Sequence, residues 1–429
     1  MKKAIVVGSG AGGATVSKEL QGHFDVTVLE AGKKFRPFSL DLRVPERLKR
    51  AGLLFDEKLI QLIFPITKIR KCDDRMILVK GIGYGGTTTI STGNALRKDE
   101  NLKKIGIDLD DEFEEIYQEI PVTTDHHRLW RNTTQRLFEI CKEMDLGPNP
   151  TPKMGNYERC RSCGRCVLGC PHGVKWDSRR FLLTAMEKGA RLMSKCKVEQ
   201  VVIEGNEARG VLAKHRGRRK FIPADLVILA AGGLGTPVIL KNSGIDCEPN
   251  LFVDPVLCVA VEWKGSHQDQ EIPMPFFVQK EHFILSPYFD HLSFFFNRKW
   301  NHSSQNILSM MIKLADDNIG DISKRKVKKG LSGQDKERLE EAVSICKEIL
   351  LRIGAKKEDM FLGTINAGHP GGMLPLTELE AESVHNPRLP ENLYVADATL
   401  LPKSLGNPPI LTIIALAKRV SKVCAKLRA

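Results

Sequence analysis

An α/β protein, with a discontinuous parallel-sheet domain and a second domain built on an antiparallel sheet, is predicted by three observations on this 429-residue sequence. The apolar run Ala4–Val7 feeds a tight glycine turn at Gly8–Gly13. A second run, Leu226–Ala231, ends in Gly232, Gly233 and Gly235, and a third, Asn392–Asp397, precedes a helix predicted from about Pro409. Strands that are apolar throughout are buried on both faces, as in parallel sheets covered by helices.

Taken in order, Ala14–Leu20 reads as a helix and Asp25–Glu30 as a second strand, which completes a βαβ unit. If all three runs join one sheet, that domain is assembled from residues 1–35, 75–105, 185–250 and 385–429, with 36–74 and 106–184 as a connecting or lid region that contains a cysteine loop at 157–175. Residues 251–384 form the second domain. Nine of the chain's 27 aromatic residues fall between Phe276 and Trp300, broken by prolines and polar residues as in antiparallel strands. They either pack a core or line an apolar cavity. Lys214–Lys220 and Lys324–Lys329 read as solvated basic surface, and Asp335–Ile353 as an amphipathic helix.

With 42% apolar and 27% charged residues the chain buries a sizeable core, which excludes disorder and fibrous repeats. The net charge of +13 suits an acidic partner, an anionic cofactor or an anionic surface, but no base-stacking module or recognition helix accompanies it, so nucleic-acid binding is not expected. The longest apolar stretches fall short of the roughly 20 residues that span a bilayer, so no integral span is expected and peripheral attachment stays open. Met1–Val7 mimics a signal peptide but passes straight into the glycine loop, and a cytoplasmic chain is expected.

Gly8-Ser9-Gly10-Ala11-Gly12-Gly13 is a G-x-G-x-x-G between strand and helix. Gly8 permits the turn, Gly10 lets a pyrophosphate approach the backbone, and Gly13 lets helix and strand pack closely. The helix N-terminus supplies amide donors for phosphate, and Glu30, ending the second strand, is placed to accept from adenosine ribose hydroxyls. Strand, loop, helix, strand and acid in that order predict a Rossmann-type dinucleotide site. FAD is favoured over an exchanging nicotinamide.

Three further segments resemble the GMC (glucose–methanol–choline) oxidoreductase family, including its cholesterol-oxidase-like members. They are Gly81–Thr88 with Gly93-Asn94; Ala224–Pro237 with Ser243-Gly244; and His369-Pro370-Gly371-Gly372, Asn392–Ala398 and Gly406–Ile413. The resemblance implies FAD contacts at Gly85, Gly86, Thr87, Asn94, Val198, Asp397, Ala398 and Pro408. It further implies that His369 and Asn407 bind the substrate hydroxyl beside the flavin. A histidine titrating near neutrality can accept the hydroxyl proton as hydride leaves the carbinol carbon, and an asparagine amide can fix the oxygen. The chain departs from the family at Ile82, often basic there, and at Gly371, usually larger and apolar. The likeness is faint across 250–363, so the substrate does not carry over.

Eleven cysteines are present, four of them as Cys160-x-x-Cys163-x-x-Cys166-x-x-x-Cys170-Pro171. This close spacing is that of a ferredoxin-like iron–sulfur segment, in which short gaps wrap three corners of a cubane and here Cys170 would complete the set. Arg161, Arg165 and Lys175 would offset the cluster's negative charge. A Cys₄ zinc knot or a free-thiol loop are the competing readings; zinc sites usually come as two knuckles with a longer connection. A [4Fe–4S] cluster would make this a dehydrogenase or reductase wired to a ferredoxin-type protein or quinone. The expectation is therefore an FAD-dependent oxidation of a CH–OH substrate with iron–sulfur electron exit. Its alternatives are reduction of an apolar alkene or carbonyl, and a non-catalytic electron-transfer or redox-sensing subunit.

Overall fold

The computed structural model describes residues 1–38, 46–47, 49, 67–323 and 326–426. Most of the connecting region expected at 36–74 and two residues of the basic run at 324–329 lie outside them.

The three expected runs do share one sheet. Its five strands, all parallel, follow the order Leu393–Val395, Leu226–Leu229, Lys3–Val7, Asp25–Leu29 and Arg191–Met193. Ala4 lies between Val26 on one side and Leu226 on the other, so the first strand is central. Its Ala4–Val7 side chains are all buried, as an uninterrupted apolar strand requires. Helices Ala11–Glu19 and Ile410–Lys426 pack on each other and cover this sheet. At their seam the buried Lys418 Nζ reaches Glu19 and Glu115, each at 2.9 Å, and Glu119 at 3.1 Å. Strands Cys196–Glu204, Glu207–His215 and Arg218–Pro223 form a separate antiparallel meander between the fifth and second strands of the parallel sheet.

The second sheet is almost wholly antiparallel and centres on Val256–Glu262, Ile307–Leu314 and Phe283–Pro287. Ile307–Leu314 is buried at every position. The helix Gly333–Arg352 packs against it and starts at a capping box, in which Asp335 N donates to Ser332 Oγ and Ser332 N to the Asp335 carboxylate, both at 3.0 Å.

Three expectations change. The aromatic stretch is strand only through Pro287; Phe294, Phe295 and Phe296 lie on the short helix His291–Phe296, because Asp290 caps a helix start by accepting from Leu292 N. Strand Ile77–Gly81, expected in the nucleotide domain, pairs with Thr67–Lys71 and Asn366–Ala367 in the second sheet. Lys329, expected in solvent, is fully buried 2.7 Å from the buried Asp316 carboxylate, since an ammonium taken out of water needs a charge partner. The exposed run Lys214–Lys220 is surface, as expected. Among the described residues no helix is long and apolar enough to cross a membrane.

Candidate active site

A cavity of about 590 Å³ lies where the two sheets meet. One end is the first βα turn. Gly8 adopts φ +103°, and a side chain there would strike Ala230 O at 2.3 Å. A Cβ at Gly12 would fall 1.6 Å from Ala396 O, and one at Gly13 would fall 2.1 Å from Gly8 O. Gly13 thus does the close packing expected of it. Gly10 differs: a Cβ there meets nothing within 4 Å, so its bare backbone faces the open cavity. That is the cradle a pyrophosphate needs at a helix N-terminus.

Glu30 lines the cavity and is held there; Ser9 N and Oγ donate to Oε2 at 3.1 and 2.6 Å, and Gly32 N to Oε1 at 2.7 Å. Lys68, Arg70, Lys80 and Lys197 line the cavity too, and their charges act on one another near Glu30. Burial first, and then the neighbouring cations, push Lys80 down to about 8. This concentration of positive charge suits an anionic dinucleotide.

Of the other expected cofactor residues, Gly86, Thr87, Asn94, Val198, Asp397, Ala398 and Pro408 line the cavity. Gly85 stands behind it: its φ of +89° starts the Gly86–Ile90 turn, and its N–H donates to Ser9 Oγ at 3.3 Å. Asp397 ties the end of the Leu393–Val395 strand to the second glycine turn by accepting from Gly232 N at 2.8 Å and Thr236 Oγ1 at 2.6 Å.

At the far end His369 lines the cavity with its side chain 24% exposed. Its Nδ1 lies 2.6 Å from Lys313 Nζ and 3.3 Å from Asp254 Oδ2. Burial, with Lys313 adding to it, pushes the imidazole down to about 4, so the ring is neutral at pH 7. Burial pushes the Asp254 carboxyl up, but Lys313, His369 and Ser404 hold it below its ordinary value. Lys313 and Asp254 lay outside the sequence reading. Lys313 sits in an apolar strand within the stretch where the resemblance is faint, and no local motif marks either residue.

Asn407 is not brought to the cavity wall. It is buried, and its amide donates to Gln279 Oε1 and to Leu405 O, both at 3.3 Å, because these acceptors draw it into the turn before Pro408.

The four cysteines do come together around one small space. Cys160, Cys163, Cys166 and Cys170 line a cavity of about 10 Å³, with Tyr157, Lys175 and Ile272 beside them. The preformed metal centre that the spacing suggested is absent: among the described residues no group of three or more His, Cys, Asp or Glu side chains stands so as to hold a metal ion. The loop turns through short 3₁₀ segments, Tyr157–Arg159 and Cys166–Leu168, and leaves room for about one water between the thiols. All four thiols are free. Val167 and Leu168, next to Cys166, line the large cavity.

A parallel sheet with a G-x-G-x-x-G turn, opening on a cavity that ends at a histidine backed by a buried Lys–Asp pair, defines a flavin-type dinucleotide-binding oxidoreductase. The family model for GMC oxidoreductase matches residues 2–256. The chain belongs to the GMC oxidoreductase family, whose membership implies FAD as cofactor and a CH–OH donor as substrate. It is 26% identical to an uncharacterised protein of Methanocaldococcus jannaschii over 419 residues, 96% of this chain and 97% of that one. A long-chain-alcohol oxidase of Arabidopsis thaliana is 23% identical over 528 residues, covering 99% of this chain but 66% of the oxidase. The crystal structure of a pyridoxine 4-oxidase superposes with a TM-score of 0.73 at 14% identity, over 98% of this chain and 99% of that one, a likeness of fold.

Proposed function

We propose that this protein removes a hydride from the carbinol carbon of an alcohol, and that the electrons leave through an iron–sulfur cluster held by Cys160, Cys163, Cys166 and Cys170. One observation carries the reading: a single cavity joins the Gly10 cradle and Glu30 to His369, and the cysteine loop forms part of its wall through Val167 and Leu168. FAD, when bound, supplies the acceptor for the departing hydride. Gly8, Gly10, Glu30, Asn94 and Asp397 would hold it.

The chain's own groups then manage the proton. With the ring proton on Nδ1 toward Asp254, His369 Nε2 presents a lone pair that accepts the hydroxyl proton as the C–H bond breaks and the C=O bond forms. The Asp254 carboxylate offsets the imidazolium that results. Asn407 acts as a positioning residue, by fixing the turn that carries Pro408. The cysteine loop is built of short turns, not of helix or sheet, so its thiols can separate around a cluster without breaking a hydrogen-bonded ladder. Iron–sulfur centres accept electrons singly, which suits a protein or quinone acceptor, and the +13 charge suits an acidic ferredoxin-type partner.

The reductive direction is favoured by one contact. When the Lys313 ammonium donates to Nδ1, the ring proton sits on Nε2, and His369 passes that proton to a carbonyl oxygen as Nδ1 takes one from Lys313, so the ring stays neutral.

Anaerobic purification followed by an absorption spectrum and analysis of flavin, iron, sulfide and zinc tests the whole reading. FAD with iron and acid-labile sulfide, and flavin bleaching on addition of an alcohol before the cluster signal changes, is the expected result. Protein lacking flavin would overturn the chemistry. Flavin with zinc, or with no metal, would overturn the electron exit.

A further inference from the structure

The wall of the cysteine cavity holds one hydroxyl that the fold leaves without a partner, and two buried ammonium groups stand close to it. Tyr157 is 2% exposed and its Oη has no hydrogen-bond partner. A buried hydroxyl left unpaired costs roughly 1–3 kcal/mol, so such groups call for a ligand or a functional reason. The Tyr157 oxygen lies within electrostatic reach of the thiols of Cys166, Cys160 and Cys170, and both it and the Lys175 stem crowd the bare α-carbon of Gly93.

Lys153 lies behind that wall, with hydrogen-bond acceptors but, among the described residues, no carboxylate. Its side chain is fully buried, and its ammonium donates to Pro273 O at 2.6 Å, to Thr92 O at 3.4 Å and to Asn94 Oδ1. Among the described residues it forms no ion pair with a carboxylate; the groups whose negative charge would favour it are Cys166 and Cys160. Lys175, also buried, donates to Thr88 O at 2.8 Å and Thr89 O at 3.0 Å; Asp177 first, and then Cys166 and Cys170, favour its charge. A buried ammonium without a counter-charge, as at Lys153, is expensive; a thiolate-bound cluster would supply that counter-charge and add to the Asp177 carboxylate at Lys175. Thr88, Thr92 and Asn94 line the flavin cavity, so the ammonium groups of both lysines bond to its wall, and Lys175 lines the cysteine cavity as well.

We infer that Tyr157 Oη is a hydrogen-bond donor to the cluster's sulfurs, and that Lys153 and Lys175 are its fixed counter-ions on the side facing the flavin cavity. This rests on the iron–sulfur reading above and adds what sets the cluster's potential. Reduction adds one electron to an already anionic cluster. A hydrogen-bond donor and two cations stabilise the more negative form, and so raise the potential toward that of the electron donor in the neighbouring cavity.

The test uses the anaerobically purified full chain, with iron and sulfide analysis and an EPR-monitored redox titration of the cluster in the wild type, Tyr157→Phe and Lys153→Met. Wild-type iron content with a shift to more negative potential in each variant is expected, larger for Lys153→Met because a full charge is removed. Tyr157→Phe removes one oxygen from an unchanged ring, so it decides the matter even if the lysine variant fails to fold. Wild-type protein free of iron and sulfide would overturn the parent reading. An iron-loaded Tyr157→Phe variant at the wild-type potential would overturn this inference alone.

Discussion

Lys313 Nζ lies 2.6 Å from Nδ1 of His369, nearer than the Asp254 carboxylate at 3.3 Å. A cation and an anion thus compete for one ring nitrogen, and both are buried while the ring keeps an exposed edge on the cavity. The cation lowers the ring's proton affinity and the anion raises it.

Removing the cation should therefore move the histidine's titration upward. In Lys313→Met, His369 should rise from about 4 toward its ordinary 6.5, by roughly one pH unit or more. A base must be unprotonated to act, so the acid limb of the rate of flavin reduction should shift to higher pH by the same amount. A limb that stays in place would show that His369 is not the group being titrated.

His369→Ala should slow flavin reduction by a factor on the order of 10² to 10⁴, the usual worth of a positioned acid or base. FAD content should match the wild type, because the Gly10 cradle and Glu30 lie at the other end of the cavity. Single-turnover reduction with the alcohol in excess, beside the flavin absorbance of the purified protein, separates the two effects.

Gly12→Ala and Gly10→Ala should fail differently although they are two residues apart. A methyl at Gly12 falls 1.6 Å from Ala396 O, so the first helix must move off the end of the Leu393–Val395 strand, at a cost of about 3 kcal/mol. A methyl at Gly10 meets nothing of the protein within 4 Å. That variant should keep the unfolding midpoint of cofactor-free protein and lose FAD on gel filtration. Equal midpoints for the two variants would refute the distinction.

Lys418→Met should cost roughly 2 kcal/mol, between the values for exposed and fully buried ion pairs, because the lysine is buried and its glutamates are about a third exposed. Burial pushes Glu19 and Glu115 up, yet Lys418 with Lys18 or Lys422 holds both below their ordinary 4.5. Groups with lowered folded values stabilise above that pH and lose the contribution as pH falls through the folded values. The wild type's advantage in chemical denaturation should accordingly shrink below about pH 4.5.

The nucleotide end of the cavity could be read from the chain because its chemistry is local. Gly8, Gly10, Gly13 and Glu30 lie within one βαβ unit, where turn, helix start and acid follow at fixed spacing. The Leu226–Leu229 and Leu393–Val395 strands announced themselves for the same reason, as unbroken apolar runs ending in glycine or a capping aspartate.

The substrate end had no such local signature. His369, Lys313 and Asp254 come from three places up to 115 residues apart, and a lysine in an apolar strand acquires meaning only when an antiparallel register sets it beside a histidine. Asn407 shows the converse, since a motif position foreseen at the cavity was drawn by Gln279 and Leu405 into the turn behind it. Likewise the cysteine spacing named four thiols, but that an unpaired Tyr157 hydroxyl lines their cavity and Lys153 is buried nearby with no carboxylate among the described residues follows from long-range packing, which no short-range pattern encodes.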